Sequence, residues 1–295
     1  MSGDGARDTA GSRGEAPDDA GRLVFLDIDG TLIDSRQRMP DSARAACAAA
    51  RDNGHRLFLC TGRSRPEVYP WLWDLGFSGI VGSGGAYGEI GGRPVFDHRA
   101  PSADVAAASA WLDGVGAAWV WQLPDGLWTS PTFMDAFSGP RGGAGAEGVD
   151  GEWSPYLRLV APSLHTGVPA TASKCTFILP PASPVALDDV ARRFLGRFHV
   201  IPGSLTMRQD QHAEMVPWGI SKGTGLTEVA ARLGVPLERT VAVGDSSNDV
   251  EMLRTAGVGI AMGNGRAAAK EAADRLTSGV NHDGLARAFA GLGLI

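Results

Sequence analysis

Leu23-Val24-Phe25-Leu26 is an unbroken apolar run, and Asp27-Ile28-Asp29-Gly30-Thr31 follows it at once. Four apolar residues without alternation are what a parallel strand covered on both faces needs, whereas a half-exposed strand would alternate. Such a strand demands further strands beside it and helices on both sides. A helix is expected from Asp41 to Asn53, opened by a capping Asp41 and closed by Gly54. Arg56 to Cys60 reads as a second strand, Arg65 to Leu75 as a helix and Gly79 to Gly82 as a third strand. The alternation resumes later, with a helix from Ser221 to Leu233, a strand from Thr240 to Val243 and a helix from Asp249 to Thr255. A strand from Val258 to Ala261 and helical stretches at Arg266 to Ala273 and Asp283 to Leu292 complete it. This order predicts an α/β fold on a doubly wound parallel sheet.

The middle of the chain breaks the rhythm. It carries Trp111, Trp119, Trp121, Trp128 and Trp153, and a glycine-rich stretch from Gly139 to Gly151. Strands are expected at Lys174 to Leu179, Phe198 to Ile201 and Leu205 to Arg208, with a helix from Val185 to Leu195. The predicted division is a core of residues 22–84 and 218–295, an inserted α+β domain of residues 85–217, and a disordered tail of residues 1–21.

Composition narrows the function. With 43% hydrophobic and 20% charged residues, the 295-residue chain has the make-up of an ordinary globular protein. No apolar run approaches the ~20 residues that span a bilayer, so no membrane partner is expected. A net charge of -6 and the lack of a Lys/Arg run argue against nucleic acid. The opening residues lack the apolar stretch of a secretion signal, and the expected location is cytoplasmic. Cys47, Cys60 and Cys175 have no metal-ligand spacing and read as reduced, structural thiols.

The chemistry concentrates where strands end, which is where open α/β sheets bind ligands. In an extended chain residues i and i+2 project to one side, so Asp27 and Asp29 can share a site while Ile28 turns away. Two such carboxylates repel unless a cation or proton joins them. Thr61-Gly62-Arg63 follows the second strand with a hydroxyl and an unobstructed backbone N–H. Lys222 opens a helix, adding positive charge near its N-terminus. Gly244-Asp245-Ser246-Ser247-Asn248-Asp249 brings further oxygen ligands after another strand. Together these segments make an anion pocket beside a carboxylate cluster.

At these positions the sequence resembles the haloacid dehalogenase-like superfamily of phosphatases, and within it the Cof-type branch. FLDIDGTL is similar to the superfamily's first motif, CTGR to its second, GISKGTGL to its third and VGDSSND to its fourth. The stretch AMGNGRAAAKEAADRLTSGVNHDGLARAF is similar to the Cof-type C-terminal segment, and the large insert between Arg63 and Lys222 to its cap. One departure is Ser83-Gly84-Gly85-Ala86, where the family usually has Asn-Gly-Ala. The resemblance implies a Rossmann-like core, a cap domain and a phosphoric monoester hydrolase. It implies that Asp27 is the nucleophile and Asp29 the acid and base. Mg²⁺ would be held by Asp27, the carbonyl of Asp29 and Asp245. Thr61, Gly62, Lys222 and Asn248 would hold the phosphate. Asp249 would orient Lys222 or a water, and Arg63 would reach the substrate or brace its loop.

The substrate is expected to be a small phosphate ester, a sugar phosphate foremost, with a nucleotide-like or pyridoxal-type phosphate behind it. Trp119, Trp121 and Trp128 recur at strand-like spacing and are candidates to face it, or else to fill the cap's own core. Arg158, Arg208 and His212 are further polar candidates. Gly263-Asn264-Gly265-Arg266-Ala267-Ala268 superficially fits a dinucleotide fingerprint, but it lies late in the chain. A phosphotransferase using the same aspartate, or a binding module without turnover, are the competing readings.

Overall fold

A computed structural model describes residues 21–133, 154–203 and 211–295. The expected tail at 1–21 lies almost wholly outside the described residues, as do Trp153, Arg208, the stretch from Gly139 to Gly151 and the strand expected at Leu205 to Arg208.

Two sheets organise the chain. The first begins with β1 (Leu23–Leu26), β2 (Arg56–Cys60), β3 (Gly79–Gly82), β4 (Tyr87–Ile90) and β5 (Arg93–Asp97). The second holds β6 (Ala118–Leu123), β7 (Gly126–Thr129), β8 (Leu164–Thr166), β9 (Lys174–Ile178), β10 (Phe198–Pro202) and β11 (His212–Pro217). The chain then returns to the first with β12 (Thr240–Gly244), β13 (Val258–Ala261) and β14 (Arg275–Leu276). The core order is β14-β13-β12-β1-β2-β3-β4-β5, parallel from β14 to β3.

All four residues of β1 are buried, and they divide between two apolar layers. Val24 and Leu26 meet Ala43, Ala46 and Cys47 of the helix Asp41–Asp52, with Leu285 and Phe289 of the helix Gly284–Ala290. Leu23 and Phe25 meet Leu226 and Val229 of the helix Lys222–Arg232, with Met252 and Leu253 of Val250–Thr255. The protein is therefore mixed α/β, with a parallel-sheet core and helices on both faces.

Three local expectations change. Asp41 is the first helical residue, Pro40 stands at the cap, and no side chain caps this end. The stretch from Arg65 to Leu75 is a 3₁₀ turn, Arg65–Glu67, and a short helix, Pro70–Trp73. Pro66 and Pro70 each suit a first turn and neither can lie inside a continuous helix. Finally, the core sheet does not end at residue 84. Tyr87–Ile90 and Arg93–Asp97 add an antiparallel hairpin to its edge before the chain crosses to the second sheet, so residues 85–97 pair with the core.

The second sheet, β10-β11-β9-β6-β7-β8, is antiparallel except at β7–β8. Its faces differ sharply. Trp119, Trp121, Leu123, Cys175, Phe177, Ala213 and Met215 form one apolar face, covered by Val105, Ala108 and Leu112 of the helix Ser102–Gly114 and Val190 of Leu187–Arg193. The alternate residues Gln122, Lys174, Thr176 and Glu214 share the other face in register. That face looks toward the core, where Gln122 Nε2 donates to both carboxylate oxygens of Glu67 at 2.9 and 2.7 Å. Tyr156 Oη of the helix Ser154–Val160 donates to the same carboxylate at 2.6 Å.

Candidate active site

Asp27 stands at the carboxyl end of β1, its N–H donating to Val243 O of β12 at 3.0 Å. Thr61 directly follows β2, and Asp245 directly follows β12. Because β1 lies between β2 and β12, these three strand ends converge on one cleft. Gly30 turns the chain there with φ of 84°, and a Cβ on it would come within 2.3 Å of Asp245 Oδ2. Only glycine allows this conformation and approach together.

Lys222 is the anchor. It begins a helix whose cap, Ser221, accepts from Thr224 N–H at 3.2 Å. Its Nζ donates to Asp27 Oδ1 at 2.7 Å and to Asp249 Oδ1 at 2.5 Å, with none of its side chain exposed. Burial alone would lower the lysine, but Asp249 and Asp27 hold it well above its ordinary value, so it stays an ammonium. The other Asp249 oxygen accepts from the N–H of Asp245 and of Ser246, at 2.9 and 2.8 Å. Asp249 therefore ties the lysine to the loop that carries Asp245.

The acidic cluster crowds like charges together. Ligand oxygens of Asp27, Asp245 and Asp249 lie within 4.8 Å of one another. Burial, opposed by Lys222 and aided by Asp249 and Asp245, pushes the Asp27 carboxyl well above the usual range. Burial, then Asp249, pushes Asp245 up to about 7. Asp245 Oδ1 is buried without a hydrogen-bond partner. An orphaned carboxylate oxygen beside two more carboxylates is a donor set for a hard cation.

Asp29 has a different environment. Its side chain is 36% exposed, against 6% for Asp27, so it faces the cleft. Arg63 grips it in bidentate fashion, Nε to Oδ2 at 2.8 Å and Nη2 to Oδ1 at 2.7 Å. Burial works to raise this carboxyl, and Arg63 more than reverses it, leaving it below its ordinary value. Arg63 also donates to Gln37 Oε1 at 2.7 Å and Glu67 O at 2.9 Å, and its guanidinium lies over the rings of Tyr69 and Tyr156. Thr61 is buried, and its hydroxyl accepts from Arg63 N–H at 3.1 Å. Asn248 accepts from Ser246 Oγ at 2.7 Å, and its Nδ2 would lie 3.2 Å from a Cβ on Gly62.

The core residues singled out in sequence thus come together: Asp27, Asp29, Thr61, Gly62, Arg63, Lys222, Asp245, Asn248 and Asp249. The cap candidates do not. Trp119 and Trp121 are buried on the helix-facing side of the cap sheet, donating from Nε1 to Asp113 Oδ1 at 2.7 Å and to Ser109 Oγ at 2.8 Å. Trp128 pairs with Trp121, shares that face and stacks on His165 at 4.5 Å. They face away from Asp27 because alternation along β6 and β7 sends them to the helix side. Arg158 is exposed, and Arg208 lies outside the described residues.

Four residues near the site escaped sequence reasoning. Glu214 and Lys174 reach it from the cap. A Cβ on Gly62 would be 3.2 Å from Glu214 Oε1. Glu67 joins the cap to the second-motif loop. The fourth, Asn264, donates to Gly30 O at 2.9 Å and to Asp245 Oδ2 at 3.4 Å. The segment from Gly263 to Ala268, which superficially fits a dinucleotide fingerprint, buttresses the Asp245 loop, with Arg266 N–H donating to Asp245 O at 2.8 Å. The only signal for the cap pair was alternation, Lys174-Cys175-Thr176-Phe177 and His212-Ala213-Glu214-Met215.

Known proteins share this arrangement. The sequence pattern of the haloacid dehalogenase-like hydrolases matches residues 24–289. Phosphatase YwpJ of Bacillus subtilis (strain 168) is 42% identical, over 90% of this chain and 97% of its own. Putative phosphatase YkrA of the same organism is 27% identical, over 93% of this chain and 98% of its own. A solved subclass IIB sugar phosphatase of the superfamily superposes with a TM-score of 0.75 at 22% identity, over 93% of this chain and all of that one. Among the described residues no helix is long and apolar enough to cross a membrane. By its motifs, its fold and its relatives, this chain belongs to the haloacid dehalogenase-like hydrolases, as a phosphatase of the Cof-type branch.

Proposed function

We propose that the protein is a Mg²⁺-dependent phosphomonoester hydrolase that acts on a small phosphorylated metabolite, foremost a sugar phosphate, through a phospho-aspartate on Asp27. The observation that carries this reading is Lys222 Nζ fixed between Asp27 and Asp249, beside the unpartnered Asp245 Oδ1. The kinship with a solved sugar phosphatase supports the substrate class.

Asp27, the carbonyl of Asp29 and Asp245 would hold the ion, an all-oxygen set that fits Mg²⁺. When bound, Mg²⁺ offsets the negative charge of phosphate and carboxylates as they approach. Lys222 occupies Asp27 Oδ1 and leaves Oδ2 to attack phosphorus in line. The new P–O bond to Asp27 forms as the ester P–O bond breaks, and the leaving oxygen takes a proton from Asp29. Water then attacks the phosphorus of the acyl phosphate, its proton passing to Asp29. That step frees inorganic phosphate and restores the Asp27 carboxylate. The Thr61 hydroxyl, the Gly62 N–H, Asn248 and Lys222 hold the equatorial oxygens, over which transition-state charge spreads.

Asp29 must be neutral for the first step, yet Arg63 holds it ionised before substrate arrives. The negative charge of an incoming phosphate dianion raises a neighbouring carboxyl, so Asp29 takes up a proton from water as the ester binds. Arg63 then serves the second step, where Asp29 must act as a base.

The test is phosphate release across a panel of metabolite esters with Mg²⁺, followed by acid quench and peptide mass analysis. Expected is one phosphoryl group on the peptide containing Asp27, absent from Asp27→Asn. Full turnover in excess EDTA, with no metal retained, or phosphorylation at another residue, overturns the reading.

A further inference from the structure

Over the Gly62 loop the cleft-side face of the cap sheet is polar without being fully satisfied. Thr176 Oγ1 donates to Gln122 Oε1 at 3.1 Å, and Gln122 donates onward to Glu67. Lys174 Nζ donates to Glu214 Oε1 at 2.8 Å, an ion pair whose side chains are only 2% and 10% exposed. The second oxygen, Glu214 Oε2, is buried with no partner. A Cβ on Gly62 would lie 3.3 Å from it, which puts this open acceptor directly over the loop whose N–H would hold phosphate.

We infer that Glu214, held by Lys174, is a specificity-determining residue: Oε2 accepts a hydrogen bond from a hydroxyl of the leaving group, so the enzyme selects phosphate esters of polyols and sugars over those of plain alkyl or aryl alcohols. This rests on the phosphatase reading above.

Three arguments converge. A carboxylate next to a phosphate site repels its ligand unless neutralised, and Lys174 neutralises it while occupying one oxygen only. A buried ion pair is a poor way to stabilise a sheet, since apolar residues of the same volume do as well, so cap stability does not explain it. An unpaired buried oxygen is a penalty that a ligand donor removes. A neutral hydroxyl suits it better than an ammonium group, which would meet the charge of Lys174 on the same carboxylate and of Lys222 nearby. The rings that could grip a flat leaving group, Trp119, Trp121 and Trp128, lie on the opposite face.

The test compares sn-glycerol 3-phosphate with n-propyl phosphate, which has the same carbon chain without hydroxyls. Binding of each is measured by calorimetry, with Mg²⁺, to Asp27→Asn, which cannot turn them over. The same protein carrying Lys174→Met and Glu214→Leu is measured beside it. That double change replaces the pair by apolar groups and leaves no buried charge behind. Losing a hydrogen bond to a charged acceptor changes affinity about 10- to 100-fold. Asp27→Asn should therefore prefer glycerol 3-phosphate by about that factor, and the preference should fall to within about threefold in the variant with both cap changes. Glu214→Gln, which keeps the shape, should give an intermediate ratio. Equal binding of the two esters by Asp27→Asn, or a preference that survives in the variant with both cap changes, overturns the inference. Turnover by the unmodified enzyme separates the two readings. If both esters are hydrolysed and bound equally, the hydroxyl site fails and the phosphatase reading stands. If neither ester nor p-nitrophenyl phosphate is hydrolysed while the binding preference persists, the reverse holds.

Discussion

The two sheets place chemistry in opposite ways. In the parallel core the reactive groups stand at strand ends, so each cluster is a short contiguous segment after a strand: Asp27–Thr31 after β1, Thr61–Arg63 after β2, Asp245–Asp249 after β12. In the antiparallel cap they stand on a face, so Gln122, Lys174, Thr176 and Glu214 come singly, every second residue on three strands. A parallel strand buried on both sides has no face to offer, whereas the cap sheet offers the part of its second face that lies beyond the apolar cluster of Ala118, Val120 and Leu127 with Phe133 and Val160. The core can therefore keep one chemistry while the cap face changes residue by residue.

The sharpest way to break this division is Asp27→Asn. Turnover should fall by at least ~10³-fold on every substrate, with the fold intact because Lys222 still has Asp249. Steady-state rates and circular dichroism check it. A variant that keeps comparable activity would mean that the chemistry is not confined to the core strand ends.

Metal response should be lost with equal locality. Mg²⁺ at a hundred times its Kd should stabilise the protein by about 2.7 kcal/mol, seen as a rise in Tm. Asp245→Asn should abolish that rise without lowering the metal-free Tm, since it removes a carboxylate whose charge is unfavourable where it sits. An undiminished rise would place the ion elsewhere.

On the cap, Trp121→Leu should act on stability alone. It removes a buried ring and the bond to Ser109, a loss of about 2–4 kcal/mol by urea denaturation. Ratios of kcat/KM among substrates should stay unchanged, because Trp121 lies on the face away from the cleft. A reshuffled substrate order would show that the helix-side face also sets specificity.

The smallest effect at neutral pH concerns acid. Burial holds His212 at about 4, against 6.5 for an unshifted histidine. Above pH 6.5 it is neutral in both states and adds no pH dependence. Between 6.5 and 4 the unfolded chain takes up its proton first, so stability falls with pH by up to about 1.4 kcal/mol per unit. His212→Gln should flatten that slope in urea midpoints measured across the range. An unchanged slope would assign the acid sensitivity to other groups.

Legibility followed the same division. Buried parallel strands show as apolar runs, and their ends show as carboxylate or glycine clusters, so β1, β2, β3 and β13 and the segments Asp27–Thr31, Thr61–Arg63 and Asp245–Asp249 could be read in sequence, whereas Glu67 and Asn264 beside them could not. Pro66 and Pro70 were visible too, yet the helix expected across them needed the tertiary context to show where it breaks. The hairpin Tyr87–Asp97 was missed because Gly88 and Gly91-Gly92 dilute any strand pattern. A Cβ on Gly88 would run into the ring of Phe96, a reason for glycine that exists only once β4 and β5 are paired.

The sequence alone determined the strands of the parallel core, their order along the chain and the short segments that end them, because each depends on neighbours within a few residues; that these segments meet at Asp27 follows from the sheet order, which sets Lys222 against a residue 195 positions away. Which side of the cap its tryptophans occupy was decided only by tertiary structure. Period-two alternation says that Trp119 and Gln122 part company, but not which of them meets the helices and which the cleft. That choice came from the apolar surface of Ser102–Gly114 and Leu187–Arg193, which buries rings and leaves the polar face to Glu67 and Gly62.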